Sequence, residues 1–252
     1  MTTQNSLILI VYAPAFMDGD SRPLAVVHGI ERALPSVHLE WELSQAGRPI
    51  ALPHRDRWLA EASARGKFPL LCNGDESYAV TVTGWGTPAR QSAGGQPQVE
   101  VHAELPLNAA SIAAAVDVLE GVAEGARAFW GHATPHSAAV EIARQTRDPV
   151  RKPGVPPRGL PALKFPDKFR SPAIPHCLGW LNYWSAAAAQ GIGFPDPARD
   201  ADLLSRARRT ATGGWAVRLT ETPLDLDIPA HLEALVRAYE CFPEIGGRVT
   251  PA

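Results

Sequence analysis

Gly179-Trp180-Leu181-Asn182-Tyr183-Trp184-Ser185 places three aromatic residues in seven positions, opened by Gly and closed by Ser. A second Gly-Trp unit, Gly213-Gly214-Trp215-Ala216-Val217-Arg218-Leu219-Thr220, follows it. Aromatic residues make up only 7% of the chain, so two such clusters anchor a core, a ligand pocket or a protein-binding face. Strand alternation puts Trp180 and Trp184 on one face and Tyr183 on the other. That pattern favours two strands of a sheet core and makes the aromatic units markers of the scaffold.

Working outward, Leu7 to Ala13 is a continuous apolar, β-branched run and reads as a central strand. Ser21 is a candidate N-cap for a helix carrying Leu24, Val27, Ile30 and Leu34 at helical spacing, with Pro23 in its first turn. His38–Leu43 and Phe68–Leu71 read as strands, with a short surface helix from His54 to Arg65 between them. Ala79–Thr83 and Val99–Leu105 are expected to pair antiparallel across the Gly/Pro/Ser-rich turn at 92–97. Asn108 is a good N-cap for an Ala-rich helix to about Arg127, bearing Ile112, Val116, Leu119 and Val122. A strand over Ala128–Ala133 and a helix near Ser137–Gln145 follow. In the second half the expected elements are strands at 180–184 and 214–220 and helices at 200–209 and 231–241. Strands alternating with helices, plus one hairpin, predict an α+β fold: a mixed β-sheet flanked by helices, in a single domain. Residues 1–147 would form its first half and 177–252 the second half of the same sheet.

Between the halves, residues 148–176 differ in kind. Eight prolines fall between Pro149 and Pro175, and Lys and Arg outnumber Asp. The segment is either a linker or an extended basic arm lying on the surface. A solvated linker is favoured over nucleic-acid contact, because only Phe165 and Phe169 offer stacking surfaces.

With 252 residues, 45% hydrophobic and 20% charged, the composition is that of a globular protein. A net charge of -2 argues against nucleic-acid binding through bulk electrostatics. Cys72, Cys177 and Cys241 are odd in number and lack C-x-x-C spacing, so reduced thiols and a cytoplasmic location are expected. No basic region precedes the first apolar run, and no segment has the ~18 apolar residues of a membrane span.

Catalytic signatures are weak. His132 and His136 have H-x-x-x-H spacing, but Pro135 interrupts a helix there and the zincin Glu is absent. No nucleophile elbow, phosphate loop or dinucleotide fingerprint occurs. Cys72 reads as a buried thiol, and Asp227 as the N-cap of the last helix, with Pro229 in its first turn. No metal or cofactor is expected.

Taken in order, Phe129-Trp130-Gly131-His132-Ala133-Thr134, the Gly179–Ser185 unit, the strand ending at Leu219-Thr220 and the Pro229-Ala230-His231 helix start resemble the immunity 52 family of bacterial polymorphic-toxin systems. That resemblance spans roughly Asn108 to Cys241, with Asp-Ile-Pro-Ala-His where the family has Asn-Pro-x-His. The whole chain resembles still more closely a myxobacterial family of unassigned function, through LLCNGDE, GWLNYWSAAAA, GFPDPARDADLLSRARRTATGGW and FPEIGGR. The immunity resemblance implies a non-catalytic cytoplasmic protein that binds and neutralises one cognate toxin from a neighbouring gene, often a nuclease. It implies neither direct nucleic-acid binding nor membrane insertion. Because a nuclease site is electropositive, Glu221, Asp225, Asp227 and Glu244 become candidate toxin contacts; solvated loops and a capped helix explain them equally well. The alternative is a small-molecule hydrolase or transferase of unknown class, which would gather at least two of His132, His136 and Cys72 in one pocket. A third reading is an accessory protein with no toxin partner.

Overall fold

The computed structural model describes residues 5–44, 47–63, 68–146 and 157–249. The elements are, in chain order, β1 (Ser6–Pro14), α1 (Arg22–Ala33), β2 (Trp41–Leu43), β3 (Pro49–Ala51), α2 (Arg55–Ser63), β4 (Phe68–Cys72), β5 (Thr81–Thr87), β6 (Gln98–Pro106), α3 (Ala109–Ala126), β7 (Trp130–Pro135) and α4 (His136–Thr146). After the proline-rich segment come β8 (Leu181–Trp184), α5 (Ala186–Gly191), α6 (Ala201–Leu204), β9 (Ala207–Arg209), β10 (Trp215–Arg218) and α7 (Pro229–Cys241).

The ten strands form one sheet in the order β3-β2-β4-β5-β6-β1-β7-β8-β10-β9. The α+β class and the flanking helices are those expected, and β1 is central. The sheet is not mixed, however: every ladder among the described residues is antiparallel. The reason lies in the β6-α3-β7 crossover. Those two strands run in the same direction, but β1 lies between them and pairs antiparallel with both. Strand–helix alternation therefore produces no parallel pair. Strands from both halves of the sequence share the sheet, since β8 pairs with β7.

Helices α1 and α3 cover one face. Leu7, Leu9, Val11 and Ala13 of β1 point into it and are fully buried. The two helices cross with their backbones in near contact: a Cβ on Gly29 would lie 2.5 Å from the Gly121 carbonyl oxygen, and one on Gly125 would lie 2.7 Å from Val26 N. Asn108 caps α3 as expected, accepting from Ser111 N at 3.0 Å. Ser21 makes no side-chain cap. Asp20 supplants it, accepting the Arg22 backbone N–H at 2.9 Å and its guanidinium at 2.8 Å. That guanidinium is buried and also donates to the carbonyls of Pro14, Ala15 and Ala126. It thus ties α1 to the ends of β1 and α3.

Two further expectations change. The helix predicted at 200–209 is only the four-residue α6, followed by edge strand β9 on β10. Its would-be cap Asp200 is committed elsewhere, to Arg199 and the Asp196 N–H. The proline-rich segment lies outside the described residues from 147 to 156. Over 157–175 it is not a solvated linker: most of its residues stay at least partly exposed, while Leu160, Phe169 and Ile174 enter the core. Leu163 N donates to Thr146 O and Lys164 N to Gly246 O, which lays this stretch as a strap across the second face of the sheet. The end of the helix expected to run to Arg65 also lies outside the described residues.

Candidate functional site

The second face carries two rows of side chains set by strand register. One row runs Trp85, Glu100, Tyr12, Trp130, Trp184, Trp215 across β5, β6, β1, β7, β8 and β10. The next runs Thr83, His102, Ile10, His132, Asn182, Val217 across the same strands. Both Gly-Trp units contribute to these rows. Tyr12 stacks on Trp130 with ring centroids 4.1 Å apart, and Trp184 meets Phe194 and Phe242 edge-on. Tyr183 points the other way, donating to Glu124 of α3 at 3.0 Å. The glycines that open the units are sterically required. A Cβ on Gly179 would overlap the Thr134 hydroxyl, and one on Gly214 would lie 2.5 Å from Trp184 O. Asn182, buried in the second row, closes the Gly179 turn by accepting its N–H at 2.9 Å and donating to its carbonyl at 3.0 Å.

Where α4 and the strap arch over these rows they enclose a cavity of about 460 Å³. Its floor is Ile10, Tyr12, His132 and Thr134; α4 supplies Ala139, Ile142 and Ala143. The strap adds Leu163, Lys164 and Phe165, then His176 and Cys177. His176 is wedged among Tyr12, Trp130 and Phe169, at centroid distances of 5.2, 4.9 and 4.7 Å. Its Nε2 is buried without a hydrogen-bond partner among the described residues. Thr134 Oγ1 accepts the Trp180 N–H and lies 3.3 Å from His132 Nδ1.

Burial governs the charge state of this site. It lowers His132 to about 4, helped by the neighbouring His102 and His176 and opposed by Glu100. It lowers His176 to about 4 as well, again against Glu100. Burial pushes the Cys177 thiol up to about 12. Tyr12 is raised well above its ordinary value by burial, then by Glu100 and Cys177. At neutral pH all four are uncharged, which moves them away from the range where side chains serve best as bases or nucleophiles. Glu100 and His102 stand beside the cavity, 3.4 Å apart, and the exposed Trp85 packs edge-on against His102 at 4.3 Å. Among the described residues no group of three or more His, Cys, Asp or Glu converges as a metal site.

The structure separates the residues singled out for a hydrolase. His132 lines the cavity, but His136 opens α4 and does not line it. Cys72 lies on β4, four strands from β7, or roughly 19 Å at the ~4.8 Å strand spacing. Of the acidic candidates, Glu221, Asp225 and Asp227 lie exposed on the loop between β10 and α7. Asp227 is not the N-cap of α7; Ile228 holds that position without a side-chain bond. Asp227 instead pairs with Arg158 of the strap at 2.7 Å. Asp225 accepts the Asp227 N–H, and its own N–H goes to His231 Nδ1. Glu244 is elsewhere, half-buried beyond α7 in a cleft with Lys164, Lys168 and Arg170, its Oε2 buried and unpartnered. Sequence reasoning missed Tyr12, His176 and Cys177. A usable signal existed in the polar alternation Glu100, His102, Glu104 on β6, which marks a sheet face that is not wholly apolar.

The molecule is thus an α+β domain whose wide antiparallel sheet is sealed by helices on one face and partly roofed by a strap and helix on the other. The chain belongs to the DUF5953 family, a domain of unknown function, whose model matches residues 18–250. No curated protein matches it by sequence. Among solved structures it is similar to Pseudomonas aeruginosa T6SS protein PA0821, with a TM-score of 0.56 and 14% identity, covering 96% of this chain and 74% of that one. At that identity the likeness is one of fold. Among the described residues no helix is long and apolar enough to cross a membrane.

Proposed function

We propose that this protein is an immunity-type binding protein that neutralises a cognate toxin by masking it. The observation that carries this reading is the fold shared along nearly the whole chain with a T6SS protein. The order of aromatic motifs that resembles the immunity 52 family supports it independently. Action would be cytoplasmic, on the toxin of a neighbouring gene, with a nuclease as the candidate toxin.

Glu221 and Asp225 are the contacts this reading favours among the four acidic candidates. They are exposed, and the loop that carries them is braced by the bonds of Asp225 to Asp227 and His231, which limits the ordering cost on binding. Asp227 would have to exchange Arg158 for a partner cation, and Glu244 is half-buried. The test is co-expression with the product of the adjacent gene. The expected result is rescue of growth and co-purification, with Glu221→Lys plus Asp225→Lys weakening binding about tenfold or more, mostly through a slower, less salt-dependent association. Absence of both rescue and co-purification would refute the reading. Rescue that survives both reversals would move the contact surface away from this loop.

A further inference from the structure

We propose that the cavity beneath α4 and the strap binds an amphipathic carboxylic acid, with its hydrocarbon or aromatic body inside and its carboxylate at Lys164. This goes beyond toxin binding and does not depend on it.

Size comes first. About 460 Å³ is within the ~300–1,000 Å³ range of sites for small organic ligands. The lining comes second. Ile10, Ala139, Ile142, Ala143 and Leu163 present hydrocarbon, while Tyr12 and Phe165 present rings. Such a surface takes an apolar body and excludes a strongly polar one. Charge comes third. Tyr12, His132, His176 and Cys177 are neutral at pH 7 for the reasons given above, and among the described residues no carboxylate lines the cavity. The remaining charge is the ammonium of Lys164, which is exposed and therefore at the mouth. Lys164 makes no ion pair among the described residues, although Glu244 shares the adjoining cleft with it. Arg170 adds a further positive charge in that adjoining cleft, whereas Lys168 there is paired with Asp167 at 2.8 Å. An acid with one anionic end and an apolar body matches this arrangement; a base or a zwitterion does not.

The experiment is calorimetric titration of the full chain with decanoate, decanol and decylamine. Decanoate is expected to saturate one site, decanol to bind about fivefold more weakly, as loss of one exposed ion pair implies, and decylamine to bind more weakly again. Lys164→Gln should bring decanoate down to the affinity of decanol and leave decanol unchanged. Ala139→Phe and Ala143→Phe fill the cavity from α4 and should abolish binding of both, with thermal unfolding run alongside to show that each variant folds. If neither folds, Lys164→Glu decides, because it should lose decanoate and keep decanol. Absence of saturable decanoate binding in the millimolar range overturns the proposal. So does indifference to the Lys164 substitutions, or undiminished binding in a folded Phe variant.

Discussion

Acidification should unfold this protein through two histidines. The unfolded chain carries imidazoles that protonate near 6.5; in the fold, His132 and His176 resist protonation until about 4. Well above 6.5 both states are neutral and nothing is at stake. As the pH falls through 6.5 the unfolded state takes up protons that the folded state refuses, so stability falls with falling pH until about 4. At about 1.36 kcal/mol for each pH unit, each histidine is worth about 3 kcal/mol over that window. The pair approaches 6 kcal/mol, on the order of the whole stability of many domains. Between about pH 7 and about pH 5 the wild type should lose about 4 kcal/mol from these two sites. The assay is denaturant unfolding at both pH values, for wild type and for His132→Gln/His176→Gln, with linear extrapolation. The substitutions carry their own packing cost, but it is the same at both pH values and cancels in the comparison. The double variant should show the smaller acid loss. Equal losses in both proteins, or folded-state ring protons that titrate near 6.5, would refute the reasoning.

Four further outcomes follow from packing and hydrogen bonding. Gly121→Ala should destabilise by about 1–3 kcal/mol. Ala normally gains about 0.5–1 kcal/mol over Gly inside a helix, but here its Cβ would lie 2.8 Å from the Gly29 carbonyl oxygen. Gly86→Ala, with open space around it, should stay within about 0.5 kcal/mol when both glycine variants are compared by thermal unfolding. Asn182→Ala should cost about 2–4 kcal/mol in chemical denaturation, because it strands both the N–H and the carbonyl of Gly179 in a buried turn. Arg22→Met keeps the aliphatic stem yet leaves Asp20 and three carbonyls without their donor. It should cost about 3–5 kcal/mol, and Asp20, now held below its ordinary value against its own partial burial by Arg22, should titrate higher by NMR.

Elements whose signal is local were legible in the sequence. The apolar run at Leu7–Ala13 became the central strand, Asn108 capped α3, and the β5–β6 pair formed across its turn. Readings failed where a distant group decides. Ser21 yields its cap to Asp20 because Arg22 draws that carboxylate into place. Residues 207–209 pair with β10 instead of extending α6, since an edge of the sheet is available to them. The prolines of the strap suggested exclusion from the core, yet proline restricts only φ and the N–H donor; Leu160, Phe169 and Ile174 between them are free to bury. Of the cavity, only His132 was singled out, and for a spacing that Pro135 and the strand-to-helix change make irrelevant. Tyr12, His132 and His176 are far apart in the chain, and no local pattern joins them.

The sequence by itself determined that the Gly-Trp segments are strands, because alternation and side-chain size act over neighbouring residues. It also determined the class, since the count and order of strands and helices limit how layers can form. Only the tertiary structure decided that β1 separates β6 from β7, making every ladder antiparallel. Only it decided that Tyr12, Trp130, Trp184 and Trp215 fall in one register row, and that the strap roofs a cavity whose floor includes Tyr12 and His132. Register and enclosure are set by contacts between residues from about thirty to more than a hundred positions apart, and there burial, not local propensity, sets the energies and the charge states.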